Sequence, residues 1–379
     1  MSTALVLSGG GARAAYQVGV LRRIAEISAK KSPKCPFDIL CGASAGAVNA
    51  AAIASRFYDF HLAVQGLDRI WANMLVHHIY RTDVVSFIRI TSAWASDLGL
   101  GAIIGAGKVK SLLDTTPLQL LVKKVLTFDI VNEAILNGDL RAIAVTATSY
   151  STGKAVTFVH GVEGLKPWSR VRRIGILQPI NVEHVLASSA IPLLFPAIKV
   201  GNEYYGDGSI RFHTPLSPAA RLGAKKIIAV GVRHSKVEVP PDVSIDYNYP
   251  PVGQMAAILL NSIFLDNMDA DWENLLRVNE LLKRGSGAAN LAGRGEAGII
   301  SGCLISPSED IGLIAAEYEK RLPLTIRYFL RGLGVGKEEG TDLISYLLFH
   351  ADYTRTLIDL GYHDACAMDD EIETVLMSS

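Results

Sequence analysis

Residues 37–54 read FDILCGASAGAVNAAAIA. The apolar run Phe37 to Cys41 is followed at once by Gly42-Ala43-Ser44-Ala45-Gly46, and then by small, helix-forming residues from Ala47 to Ala54. A Gly-x-Ser-x-Gly between a strand and a helix is a nucleophile elbow. The turn is sharp enough to strain the serine backbone and push its hydroxyl out of the fold, and glycines flank it because side chains there would strike neighbouring backbone. A helix beginning at the serine aims its free amides and dipole at negative charge near Ser44. Read alone, the pentapeptide is equally a turn of small residues that happens to hold a serine.

Upstream, Ala4 to Ser8 is a short apolar run ended by Gly9-Gly10-Gly11. Val18, Leu21 and Ala25, with Val20, Ile24 and Ile27 beside them, have helical spacing within Ala14 to Lys30. Strand, helix, strand, helix at this spacing predicts a three-layer α/β/α fold with a mostly parallel central sheet. Further strands are expected at Leu140 to Thr146, Ala155 to Val159, Ile227 to Val232 and Ile299 to Ser306, with a hairpin over Ile198 to Tyr205 turning at Gly201-Asn202. Met255 to Arg284 reads as a long amphipathic helix, followed by a helical C-terminal extension. Residues 76–110 lack periodicity and read as a surface insertion or a cover over substrate. The expected organisation is a catalytic domain over residues 3–235 and a mainly helical region over 236–379 packed on the core.

Composition narrows the class. Of 379 residues, 49% are apolar, enough for a large core. Lysine plus arginine equals aspartate plus glutamate at 37 each, which argues against a general nucleic-acid binder. The four cysteines form no C-x-x-C pair and read as packed, reduced thiols. Neither a signal-peptide pattern nor a run of about 18 apolar residues is found, so the expectation is a cytoplasmic protein, in peripheral contact with membranes at most. The mean hydropathy of +0.27 suits an enzyme that meets lipid, and equally a bulky core.

Two more motifs bear on Ser44. In Ser8-Gly9-Gly10-Gly11-Ala12-Arg13 the backbone amides of a glycine-rich turn can point inward together and meet an oxyanion, with Arg13 fixing the loop. The same residues fit a loose dinucleotide fingerprint, but that reading needs an acid at the end of the second strand, and Asp38 stands at its beginning. In Tyr204-Tyr205-Gly206-Asp207-Gly208-Ser209 an aspartate sits in a tight turn after a strand. It is a turn residue or the proton acceptor that an activated serine requires. His213, His234, His350 and His363 follow in an order compatible with a triad, although only one strand precedes the elbow and His213 reads as an ordinary turn residue. No metal-ligand spacing is present. Asp269, Asp271 and Glu273 lack the glycine of a calcium loop and read as a solvated helix face.

Together these motifs resemble the patatin-like phospholipase family, in a bacterial-type form. Besides the loop, the elbow and Asp207-Gly208, the likeness rests on Thr146-Ala147-Thr148 to Thr152-Gly153, on Ala187-Ser188-Ser189-Ala190-Ile191-Pro192 to Phe195-Pro196, and on Ala219 to Val232. The resemblance implies a serine acyl hydrolase acting on (phospho)lipid esters through a Ser–Asp dyad without histidine. Ser44 would be the nucleophile and Asp207 the general base. Gly9, Gly10, Gly11 and Arg13 would form the oxyanion loop, the amides of Gly10 and Gly11 being its donors. Gly42, Gly46 and Gly208 would shape the two turns. No metal or organic cofactor is implied. Ala14, where glycine is common, and Ser209, where glycine or alanine is usual, depart from the pattern. A dyad of this kind requires Asp207 to be screened from water and within hydrogen-bonding reach of Ser44. A general carboxylesterase or thioesterase, or a silent lipid-binding relative, are the alternatives. Lys166, Trp168, Arg170, Arg172 and Arg173 form a basic cluster suited to anionic headgroups, or simply a solvated charged loop. Oligomeric state is not legible.

Overall fold

A computed structural model describes residues 2–81, 111–234, 267–284, 298–332 and 341–377. Its strands are β1 (Thr3–Leu7), β2 (Ile39–Ala43), β3 (Ala142–Ser149), β4 (Ala155–Gly161), β5 (Trp168–Arg170), β6 (Arg173–Leu177), β7 (Ile198–Val200), β8 (Glu203–Gly206), β9 (Lys226–Val230) and β10 (Ser301–Ile305). They form one sheet in the order β10-β9-β1-β2-β3-β4-β6-β5. The first five of these pair in parallel, as does β6 with β4, whereas β4 runs antiparallel to β3 and β5 to β6. The hairpin of β7 and β8 turns at Gly201-Asn202, as its sequence indicates, and β8 lies against the end of β3.

The central parallel strands β1, β2 and β9 are buried and nearly continuous in apolar residues because both faces of the sheet are covered there. In β1, Leu5 and Leu7 enter one core cluster while Ala4 and Val6 enter another on the opposite face. The larger cluster holds α1 (Ala15–Ala29), α2 (Ala45–Ala54), α3 (Phe60–Ala72), α4 (Thr116–Val125), α5 (Phe128–Leu136) and α6 (Val182–Ser188). The smaller one is closed by α7 (Ser217–Arg221) and the start of α8 (Met268–Lys283). The result is the expected three-layer α/β/α arrangement.

Beyond residue 300, β10 extends the sheet edge next to β9. It is followed by α9 (Ile311–Glu317), α10 (Leu324–Gly332), α11 (Thr341–Leu347), α12 (Ala351–Cys366) and α13 (Asp369–Met377). Helices α1 and α12 touch backbone to backbone. An added Cβ at Gly19 would overlap the Ile358 carbonyl, and one at Gly361 the Tyr16 carbonyl.

One sequence reading changes, and two others reach beyond the described residues. The described part of the long amphipathic helix is Met268–Lys283; residues 255–266 lie outside the described residues, as do 82–110 of the aperiodic stretch. Asp271 is only partly exposed: its carboxylate accepts a hydrogen bond from the Leu216 amide at 2.9 Å, and burial raises its pKa. Among the described residues no group of acidic, histidine or cysteine side chains is arranged to hold a metal ion, and no helix is long and apolar enough to cross a membrane.

Candidate active site

Ser44 stands between β2 and α2 with φ 53° and ψ −131°, a region that a non-glycine residue enters only under strain. The turn tolerates no side chains beside it. An added Cβ at Gly46 would overlap the carbonyl oxygens of Leu7 and Ser8, and one at Gly42 would strike Gly46 and Ala47. The strained serine is tied down by a second shell of hydroxyls. Its amide donates to Ser188 Oγ at 2.9 Å, and Ser188 Oγ donates to the Thr146 carbonyl at 2.6 Å. Ser189 Oγ donates to the Ser44 carbonyl at 3.1 Å. Both serines belong to the Ala187–Pro192 segment, whose sequence marked a likeness but not this task.

Ser44 Oγ donates to Asp207 Oδ2 at 2.6 Å. The aspartate follows β8, is fully buried, and is fixed from three sides. Its amide donates to the Ala190 carbonyl at 2.8 Å, its carbonyl accepts from Thr148 Oγ1 at 2.8 Å, and Oδ1 accepts from the Ser209 amide at 2.8 Å. Burial pushes its carboxyl up to about 6, against the opposing pull of hydrogen bonds from Ser44 and Ser209. A carboxylate with that affinity for protons is a far better acceptor for a serine proton than a solvated one. Gly208 has no room for a side chain because an added Cβ would meet the Thr146 carbonyl. An added Cβ at Gly9 would meet Ser44 Cβ and the hydroxyl of Ser209, the residue that departs from the family pattern.

The glycine-rich loop borders the same space. Gly11 has φ 55°, and an added Cβ there would overlap the Tyr346 carbonyl of α11. No partner within the protein accepts from the amides of Gly9, Gly10 or Gly11 among the described residues, so they remain available to a ligand. Arg13 turns away from the cavity and anchors the loop. Its Nε donates to Ser345 Oγ at 2.6 Å, Nη2 pairs with Asp342 Oδ1 at 2.6 Å, and the guanidinium lies 4.4 Å from the Tyr346 ring centroid.

A cavity with about 660 Å³ of empty space, its open mouth included, has Ser44 and Gly11 in its wall. The rest of its lining is almost wholly apolar, with Trp71, Met74, Leu121 and Phe349 among the large side chains. Trp71 Nε1 donates to Asn49 Oδ1 at 3.0 Å. Asn49 Nδ2 donates to Gln17 Oε1 and the Ala14 carbonyl, and Gln17 Nε2 donates to the Ser8 carbonyl at 2.8 Å. A buried polar chain thus runs from the cavity wall to the glycine-rich loop.

The competing readings find no geometry. Asp38 accepts from the Thr3 amide at 2.6 Å, at the opposite end of the strands from the glycines, where no ribose beside the loop could reach it. His213 is exposed, and its recorded polar neighbour is Asn267 at 3.4 Å. His234 contacts the Pro307 carbonyl, and His350 caps α12.

A model of the patatin-like phospholipase family matches residues 5–220. The chain belongs to this family. Its patatin-like domain is of a lipid-hydrolase kind, and the match runs from β1 through α7, taking in Ser44, Asp207 and the glycine-rich loop. Calcium-independent phospholipase A2-gamma of Oryctolagus cuniculus is 22% identical over 212 residues, 56% of this chain. The chain spans about a quarter (24%) of that relative's length. A crystal structure of VipD from Legionella pneumophila aligns over 94% of this chain and 67% of that chain at 12% identity, with a TM-score of 0.29, too loose a likeness to carry an argument.

Proposed function

We propose that this protein is a serine acyl hydrolase that cleaves fatty-acyl esters of lipids, with Ser44 as nucleophile and Asp207 as general base. The observation that carries the reading is a strained serine hydroxyl donating at 2.6 Å to a fully buried carboxylate, in the wall of an apolar cavity. As Ser44 Oγ attacks the ester carbonyl carbon, its proton passes to Asp207 Oδ2. The carbonyl oxygen becomes an oxyanion, which the unpartnered amides of Gly10 and Gly11 stabilise as donors positioned in advance. Collapse breaks the ester bond, and the proton on Asp207 goes to the leaving alkoxide. A water then gives its proton to Asp207 and attacks the acyl-Ser44 carbonyl. The second collapse releases a fatty acid and returns the proton to Ser44. The apolar lining favours a long acyl chain over the short acids of a general carboxylesterase, because burying each methylene contributes about 0.8 kcal/mol. A reaction run on these groups alone is in keeping with the name of the calcium-independent relative.

The test is labelling by a fluorophosphonate in wild type, Ser44→Ala and Asp207→Ala, with hydrolysis of nitrophenyl esters from butyrate to palmitate. Labelling lost in both variants, with preference for long chains, is the expected outcome. A short-chain preference moves the protein to the carboxylesterases. A wild type that neither labels nor hydrolyses leaves a lipid-binding relative without catalysis.

A further inference from the structure

The basic cluster around Trp168 is a hairpin, and the strand register fixes where its tip lies. Ser44 follows Ala43, which pairs with Thr146 on β3; Asp207 follows Gly206, which pairs with Thr148. Thr148 also pairs with Ala155 on β4, Ala155 with Arg173 on β6, and Arg173 with Arg170 on β5. The tip Arg170-Val171-Arg172 is therefore at the same end of the sheet as both reacting side chains. Arg173 is two strand spacings, about 10 Å, from a threonine that touches Asp207.

The tip has the chemistry of a lipid-headgroup contact. Val171 is 90% exposed, between two exposed arginines. Among the described residues none of Arg170, Arg172, Arg173 and Arg221 forms an ion pair with a carboxylate. Arg173 donates to Thr214 Oγ1, and Asp271, which feels the charge of Arg173, directs its carboxylate to the Leu216 amide. Beyond burial, Arg221 is pushed down by the charges of Arg170 and Arg173. The turn after β3 and the neighbouring strand β8 add aromatic side chains. Tyr150 and Tyr204 are 49% and 54% exposed and are joined by a 3.1 Å hydrogen bond from the Tyr150 amide to the Tyr204 carbonyl. Arginine, an exposed aliphatic tip and tyrosines on one rim match the headgroup region of a bilayer, where cations meet phosphate and amphipathic rings lie at the water boundary. A free polyanion offers nothing for Val171. The chain's overall charge balance makes this a local patch rather than a general anion-binding surface.

We propose that this end of the sheet docks on bilayers carrying anionic phospholipid, with Arg170, Val171 and Arg172 at the headgroups and Tyr150 and Tyr204 beside them. Docking would bring the end of the molecule that carries Ser44 to the lipid surface, and in that respect the inference builds on the hydrolase reading.

The experiment uses full-length Ser44→Ala protein, so that binding is read without hydrolysis. Flotation with phosphatidylcholine vesicles, with and without phosphatidylglycerol, should show binding only to the anionic vesicles, weakening as salt rises. Arg170→Glu with Arg172→Glu should lower partitioning at least about tenfold, and the paired glutamine variants by less. Val171→Asp should weaken binding and Val171→Trp strengthen it, with melting temperature unchanged in all of them. In the Ser44 background, the charge-reversed protein should keep wild-type kcat/KM on a soluble short-chain ester and lose activity on vesicles. Equal vesicle binding by wild type and the charge-reversed variant overturns the proposal. So does a wild type that ignores anionic vesicles, or heparin binding that matches vesicle binding and is lost with it. If the vesicle results hold but no ester is cleaved, docking stands and the hydrolase reading falls.

Discussion

The serine elbow and the glycine-rich loop border one cavity and are held in different ways. The elbow is supported from the strand beside it and from a helix end: backbone at the end of β1 packed on Gly46, and the hydroxyls of Ser188 and Ser189, at the end of α6, on Ser44. The loop borrows its rigidity from the far end of the chain. Arg13 reaches Asp342 and Ser345, separated from it by 329 and 332 residues, and Gly11 packs on Tyr346 of the same helix. A nucleophile needs one strained residue and a partner. An oxyanion hole needs several amides held in a common direction, and glycines free to adopt that arrangement are free to leave it unless something outside the loop holds them.

Four substitutions and two pH titrations sharpen the contrast. The largest effect is expected on the elbow side. Asp207→Asn should lower kcat/KM by at least about 10⁴-fold, in the range seen when a catalytic group is removed. It should also raise stability at pH 8. The folded carboxyl sits above its ordinary value, so holding it ionised costs the native state free energy above pH about 6 and nothing below its ordinary range. The stability advantage of the asparagine variant, up to about 3 kcal/mol, should shrink as pH falls from about 6 to about 4. Thermal melts across that window check the sign; an advantage that grew on acidification would refute the buried charge.

On the loop side, Arg13→Met should lower kcat by about 10- to 100-fold with a smaller change in KM, since the amides stay present but lose their anchor. Arg13→Lys should recover only part, because it lacks the planar fork whose Nε and Nη2 reach Ser345 and Asp342 separately. If Arg13→Met turned over as fast as wild type per labelled site, the loop would be held by its own glycines. The pH profile of wild type tests the base directly. Activity should climb through a single limb near pH 6, falling about tenfold per unit below it, as Asp207 is protonated. The smallest effect belongs to Asp342→Asn. Its side chain is 54% exposed, so the ion pair with Arg13 contributes at most about 1 kcal/mol and should matter less as salt is added.

The same contrast explains what the sequence revealed. The elbow, the Asp207 turn and the strands around them were legible because each is local: an apolar run, a glycine-bounded turn, then a helix. The hairpin at Gly201-Asn202 was readable for the same reason. Asp342, Ser345 and Tyr346 gave no signal, because nothing in a helix starting at Thr341 says that it faces a loop more than 300 residues earlier. Asn49 and Gln17 were hidden too. They lie at positions of α2 and α1 that composition assigns to the core, and the chain they form with Trp71 and the Ser8 carbonyl depends on contacts across elements. Asp271 was misread because acidic residues in a first helical turn are ordinarily solvated, and the amide that claims this one comes from Leu216.

The reach of Arg13 also sets an order in time. Ser44 and Asp207 are both synthesised before Asp342, and the interval between Ser44 and Asp342 is roughly tens of seconds at ordinary translation speeds. A growing chain at that stage holds the serine and its partner but lacks the helix against which Gly11 and Arg13 settle. On the proposed hydrolase reading, the oxyanion donors would settle only after the helix that begins at Thr341 has been made, well after the serine and its base.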